Sequence, residues 1–229
     1  MNDTEFDGAL IAAFFRLAAE KGWRGTSVAE AARTAALSLA QARARFPGRA
    51  SVLLRFGRMA DQAALGETPA DGSVRDKLFA LLMRRFDALQ AHRAGVAALL
   101  RALPSEPPTA LLLACATRRS MRWMLAAAGV STAGLRGELR VRGLVAVWAW
   151  TLRAWARDES ADLSGTMAAL DAALRRAEQF AAWLGGDGTA VAEPAGAGSP
   201  ERDAPAVELG AKPDDPLPPA DPSPETPPA

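Results

Sequence analysis

The 229-residue sequence holds one cysteine, one histidine and no tyrosine. A single thiol, Cys115, excludes an intrachain disulfide and a cysteine-cluster metal site. A lone imidazole, His92, excludes a His-rich metal centre, and without a phenol there is no tyrosine base. β-Branched residues are sparse, and no stretch alternates apolar with polar for more than a few positions, which argues against a sheet. No apolar run reaches the ~20 residues that span a bilayer. The opening MNDTEFDGAL lacks the basic start and apolar stretch of a signal peptide. No glycine-rich phosphate loop is present. These absences predict a soluble cytoplasmic protein, leaving open peripheral contact at the inner membrane face. They also predict no cofactor, no metal and no catalytic residue.

Charge is balanced overall, with 27 basic and 26 acidic residues, but not along the chain. Residues 1–185 carry 25 Lys and Arg against 17 Asp and Glu, while residues 186–229 carry 2 against 9. A basic body followed by an acidic tail suits an anionic partner, either nucleic acid or lipid headgroups. The tail holds 11 of the 16 prolines and no aromatic residue. Such a segment buries too little apolar surface to offset its ordering entropy, so residues 185–229 are expected to be disordered.

Residues 1–184 are dominated by alanine, leucine and arginine, strong helix formers. Phe6, Leu10, Phe14 and Leu17 recur at spacings of 4, 4 and 3, one apolar stripe that ends at Lys21-Gly22. Ser27, with Glu30 three residues on, predicts a capping box for a second helix. Ser38 caps a short third helix that stops at Phe46-Pro47-Gly48. A helix is expected at about 49–64, and another after Ser73. A short one starting at His92 is closed by Pro104. Later helices are expected at about 109–128, 141–157 and 163–184, with Gly134 and Gly137 keeping the segment before 141 loose. The expectation is an all-α fold of about nine helices: three short ones, a linker helix, then a bundle.

The run TSVAEAARTAALSLAQARARFPGR carries the sharpest pattern. It resembles the helix-turn-helix of TetR-type regulators, through Thr26, Ser27, Val28, Ala32, Ala35, Leu37, Ser38 and Phe46. The resemblance implies a TetR-like fold that dimerises through its last two helices. It also implies DNA contacts at Thr26, Ser27, Gln41, Arg43, Arg45 and Arg49. The match departs from the family where DNA is gripped: Arg43 stands for a tyrosine, Arg45 for a histidine, Arg49 for a lysine, and Ala36 for the turn glycine. Arginine still suits phosphate geometry, and Gln41 is the one good base-edge reader. Arg43 and Arg45 cannot share a helix face. The plain alternative is a helix-turn-helix kept only as a packing unit.

A second resemblance covers the remaining helices. Gly22-Trp23, the stretch VRDKLFALLMRRFDAL and the segment RGLVAVWAWTLRAWARDESADLSGTMAALDAAL are similar to the Coq-nine family, TetR-fold accessory proteins of ubiquinone (coenzyme Q) synthesis. The signature residues are Arg142, Leu144, Trp148, Thr151, Asp158, Ser160, Asp162, Thr166 and Leu170. That resemblance implies a non-enzymatic protein that binds an isoprenoid lipid or quinone precursor and assists a partner hydroxylase. Leu78, Leu82, Phe86, Leu113, Met121, Met124, Leu144, Trp148 and Leu152 are the expected lipid-pocket liners, ordinary core being their plain alternative. The family's amphipathic C-terminal helix has no counterpart here. Arg118, Arg119 and Arg122 are candidates for lipid headgroups or a solvated basic face. Cys115 reads as a buried small hydrophobe, and Asp158 and Asp162 as helix-end residues rather than an acid–base pair.

The expected organisation is a helix-turn-helix unit at 1–64, a ligand-binding and dimerisation unit at 65–184, and the tail. The leading expectation from the resemblances is the ubiquinone accessory protein. The alternative is a TetR-type, ligand-responsive DNA-binding repressor.

Overall fold

A computed structural model describes residues 1–66 and 72–183; the expected tail and part of the 66–73 loop lie outside them. The described residues form nine α-helices and no strand: α1 Asp3–Lys21, α2 Val28–Thr34, α3 Leu39–Arg45, α4 Arg49–Leu65, α5 Val74–Gln90, α6 Arg93–Ala102, α7 Pro107–Ala127, α8 Gly134–Arg157 and α9 Ser164–Trp183. A 3₁₀ turn, Leu103–Ser105, joins α6 to α7.

The caps follow the sequence signals. Asn2 and Glu5 form a reciprocal capping box on α1, and Ser73 and Asp76 form one on α5. Ser27 caps α2 by accepting from the Glu30 amide, and Ser38 caps α3 by accepting from the Gln41 amide. The predicted box at Ser27 is only half made, because the Glu30 carboxylate pairs with Lys21. The helix α1 is 19 residues long, so the first helix is not short.

Two further expectations are corrected. The helix α8 starts at Gly134 rather than at 141. Gly137 does not loosen the chain: a Cβ there would lie 2.1 Å from the Thr132 carbonyl carbon, so its bare Cα lets the preceding loop fold back on the first turn of α8. Cys115 is exposed rather than buried. It lies on the face of α7 turned away from the core, which is buried at Thr117, Ser120, Met121, Met124 and Leu125.

The core has two aromatic centres. In the first, Phe14 meets Trp23 edge-on at 5.4 Å, Phe15 packs on Phe56 at 4.6 Å, and His92 stacks on Phe15 at 5.5 Å. Burial pushes the His92 imidazole below its ordinary value, which favours its neutral form. In the second, Phe86 stacks on Trp148 at 4.5 Å and lies 6.2 Å from Trp155, whose indole donates to Gln90 Oε1 at 3.0 Å. The helix α1 packs on α6, and α4 packs on α5 and α7.

Asp7 ties α1 to α3 and α4. It is 2% exposed and accepts from Arg45 of α3 (2.7 and 2.9 Å) and from Arg55 of α4 (2.6 Å). Burial pushes its carboxyl up, but the hydrogen bond and charge of Arg45 together with the Arg55 charge outweigh it, leaving a net lowering. Glu138 is held near 2, against an ordinary 4.5, by hydrogen bonds from Arg118 and Arg122. Carboxyls lowered in the folded state stabilise it above their ordinary values and lose that contribution as pH falls through the lowered ones. The urea midpoint should therefore decline on acidification across the interval from 4.5 to about 2. Asp7→Asn should start lower at neutral pH and decline less steeply; a parallel decline would refute this role.

Candidate functional site

Two features carry chemistry: the exposed face of the helix-turn-helix and a cavity in the bundle. In the first, α2 and α3 are joined through Ala36, whose φ of 53° lies in the left-handed region. An L-residue is disfavoured there, which explains why the TetR-type run has glycine at this turn. Ala31, Ala32, Ala42 and Phe46 turn inward and are buried. Leu39, Ala40, Gln41, Arg43 and Ala44 face solvent along α3.

The six expected DNA contacts divide. Gln41 and Arg43 are exposed, the latter donating to the Pro47 carbonyl at 3.0 Å. Ser27 is exposed but serves as the α2 cap. Thr26 is buried and donates to the Gly22 carbonyl at 3.0 Å, an internal tie. Arg45 is committed to Asp7 and to Asp3. Arg49 donates to the Trp23 carbonyl at 3.2 Å and lies 3.6 Å from Glu106 at the foot of α7. Sequence reasoning missed Glu106, which also accepts from the Trp23 indole and from Arg24, both at 3.2 Å.

The cavity has a volume of 270 Å³ and lies among α4, α5, α6, α7 and α8. That is near the lower end of the roughly 300–1,000 Å³ usual for small-molecule sites. Of the nine expected liners, Leu113, Trp148 and Leu152 reach it. Leu78, Leu82, Phe86, Met121, Met124 and Leu144 are core instead, because their helix faces point into neighbouring helices. The walls that the sequence reading missed come from Leu53, Phe56 and Ala60 on α4, and Val96 and Leu99 on α6. Membership in a cavity wall depends on which helices meet, which a stripe on one helix cannot report.

One polar group stands out in that wall. Arg85 is 6% exposed, pairs with Asp61 and lies over the Trp148 ring at 4.8 Å. Ser120 donates to the other Asp61 oxygen at 2.6 Å. Burial raises the Asp61 carboxyl against the opposing charge of Arg85. The Arg85 Nε has no acceptor among the described residues.

Of the signature residues, Trp148 lines the cavity, while the acidic and hydroxyl residues between α8 and α9 sit elsewhere. Asp158 Oδ1 accepts from the Ser160 amide at 3.1 Å, and Oδ2 from the Thr166 amide and hydroxyl at 2.6 and 2.7 Å. Asp162 accepts from the Ser164 amide at 3.1 Å. Hydrogen bonds from Ser160 and Thr166 hold the Asp158 carboxyl far below its ordinary value. These residues build the α8–α9 corner and none lines the cavity. Two of the three arginines of the expected basic face are committed, Arg118 and Arg122 both donating to Glu138 at 2.8 Å, and Arg119 is exposed.

No family model matches the chain, and no curated protein matches it. Solved structures do. A TetR transcriptional regulator from Nitrosomonas europaea ATCC 19718 is 22% identical, with a TM-score of 0.62 over 76% of this chain and 98% of that one. A TetR-family regulator from Streptomyces coelicolor is 22% identical, with a TM-score of 0.56 over 81% and 87%. A TetR regulator from Rhodococcus sp. RHA1 is 18% identical, with a TM-score of 0.53 over 77% and 97%. The chain has the all-α fold of these TetR regulators.

Proposed function

We propose that the protein is a ligand-responsive, DNA-binding transcriptional regulator without enzymatic activity. Residues 1–64 form its DNA-binding unit, and residues 65–184 its ligand-binding and dimerisation unit. The observation that carries this reading is the helix-turn-helix whose helix α3 exposes Gln41 and Arg43 while Ala42 packs inward. The similarity to solved TetR regulators supports it.

A homodimer is part of the proposal. The α8 face bearing Leu135, Leu139 and Trp150 and the α9 end bearing Phe180 and Trp183 leave large apolar side chains in solvent. Large apolar side chains left in solvent are how a subunit interface looks in a lone chain.

Gel-shift titration against DNA selected from a random pool, and against the region upstream of the gene, tests the DNA reading. Binding should weaken steeply with salt. Arg43→Ala should weaken it evenly across sequences and reduce the log–log salt slope by about 1. Gln41→Ala should lose discrimination of roughly 1–3 kcal/mol at one base pair. Failure to select or shift any DNA at low salt would refute the reading.

The accessory-protein reading has one observation in its favour, the apolar cavity. Its volume holds about nine groups at the roughly 30 Å³ of a liquid water. A ring or a short chain fits that space better than a tail of several isoprene units. Organic extraction of purified protein followed by mass spectrometry separates the two, an isoprenoid quinone precursor in stoichiometric amount favouring the accessory role.

A further inference from the structure

The cavity wall is carbon on nearly every side. Besides Arg85, only Thr117 and the indole of Trp148 among its lining residues carry polar side-chain atoms. A guanidinium in such a place needs a counter-charge, and Asp61 supplies it through Nη1. Asp61 is itself fully engaged, with its second oxygen accepting from Ser120. The pair brings no net charge, yet Nη1 carries the one hydrogen bond the guanidinium makes among the described residues, so most of its N–H donors are left over. The Nε is buried and meets no acceptor among those residues. A desolvated donor without a partner is costly, and a ligand that supplies an acceptor recovers that cost on binding.

We propose that the cavity takes a small, largely apolar molecule bearing one uncharged hydrogen-bond acceptor, such as a ketone, ester or quinone carbonyl, with the Arg85 guanidinium as the donor that recognises it. This rests on the effector-binding reading above and names the chemical class of the effector. Two alternatives are disfavoured by the same residues. A pure hydrocarbon fills the walls but leaves the guanidinium's spare donors unpaired. A carboxylate meets the guanidinium but brings a second negative charge beside Asp61 into a low-dielectric pocket. Specificity therefore comes from the pair: Arg85 selects for an acceptor and Asp61 selects against an anion.

Calorimetric titration of the full-length protein with three probes of matched size tests this: propylbenzene, propiophenone and 3-phenylpropanoate. The ketone should bind about tenfold or more tightly than the hydrocarbon, the usual margin for a hydrogen bond to a charged group. The carboxylate should bind more weakly than both. Arg85→Lys keeps a charge opposite Asp61 but replaces the planar fork of donors by one ammonium held at that carboxylate, so it should abolish the ketone's advantage over propylbenzene measured in the same variant. Asp61→Asn keeps the shape and removes the counter-charge, so it should raise carboxylate affinity about tenfold or more. Circular dichroism confirms that each variant is folded. If the hydrocarbon and the ketone bind equally, or the carboxylate binds best to the unaltered protein, the assignment of Arg85 is overturned while effector binding stands. If none of the three binds, both fall, and the gel-shift result decides separately whether the DNA reading survives.

Discussion

Asp61→Ala is expected to destabilise the fold by about 3–5 kcal/mol, because it leaves the buried Arg85 guanidinium without its counter-charge. In a chain of this size that corresponds to a fall in melting temperature on the order of 10 °C. The loss comes from the orphaned cation rather than from the worth of the pair itself. Replacing both residues separates these effects. Asp61→Leu together with Arg85→Met puts apolar side chains of similar volume in the same place, and the double variant should recover most or all of the stability. Urea denaturation of the two single variants and the double variant measures the coupling directly. If the single variants lose only a few tenths of a kcal/mol, the pair is solvated, and its place in the cavity wall has no energetic meaning. If the double variant is as stable as the unaltered protein, the charges are kept for recognition rather than for stability, as the specificity argument requires.

Much of the helical layout was legible because short-range chemistry writes it. Ser27, Ser38 and Ser73 announce helix starts by what their hydroxyls accept, and the first two belong to the TetR resemblance together with Ala32 and Ala35. What was misread lies between helices. Gly134 and Gly137 look like a flexible stretch in sequence, and only the fold-back of Thr132 shows that one of them permits a close approach. The signature Asp158-x-Ser160-x-Asp162-x-x-x-Thr166 looks functional by its spacing, yet its hydrogen bonds close the α8–α9 corner. Leu163, within it, is buried with a φ of 55°, a left-handed conformation that the surrounding bonds hold. A motif of this kind identifies a fold more than a task. The ion pairs did leave a trace in the sequence. Arg85 falls on the apolar stripe Leu78, Leu82, Leu89 of α5, and Asp7 falls beside Phe6 and Leu10 on α1. A charge within an apolar stripe is a prompt to look for a buried partner, but the partner, 24 residues away for Asp61 and Arg85, is visible only in three dimensions.

The contact between α1 and α6 is the other place where one atom decides the packing. A Cβ on Gly95 would lie 2.3 Å from the Phe15 carbonyl oxygen and 2.7 Å from the Phe15 Cβ. Both obstacles belong to the α1 backbone or its first side-chain atom, so no rotamer change relieves them, and the helices have to separate. Gly95→Ala should destabilise by about 3 kcal/mol, at or above the upper end for overpacking, even after the gain of roughly 1 kcal/mol in helix propensity. Gly8→Ala, also on a helix and with nothing within 4 Å of the added carbon, should stabilise slightly and serves as the control. The same joint lies between the two candidate sites. The helix α6 gives Val96 and Leu99 to the cavity wall, and α1 carries Asp7, which holds Arg45 of the DNA-facing helix. Opening the joint should therefore weaken the link between them. In Gly95→Ala, a cavity ligand such as propiophenone should still bind but should change DNA affinity less than in the unaltered protein. The ratio of DNA affinities with and without ligand measures that coupling. An unchanged ratio in the folded variant would place the coupling route elsewhere, through the Glu106 contacts of Arg24 and Arg49.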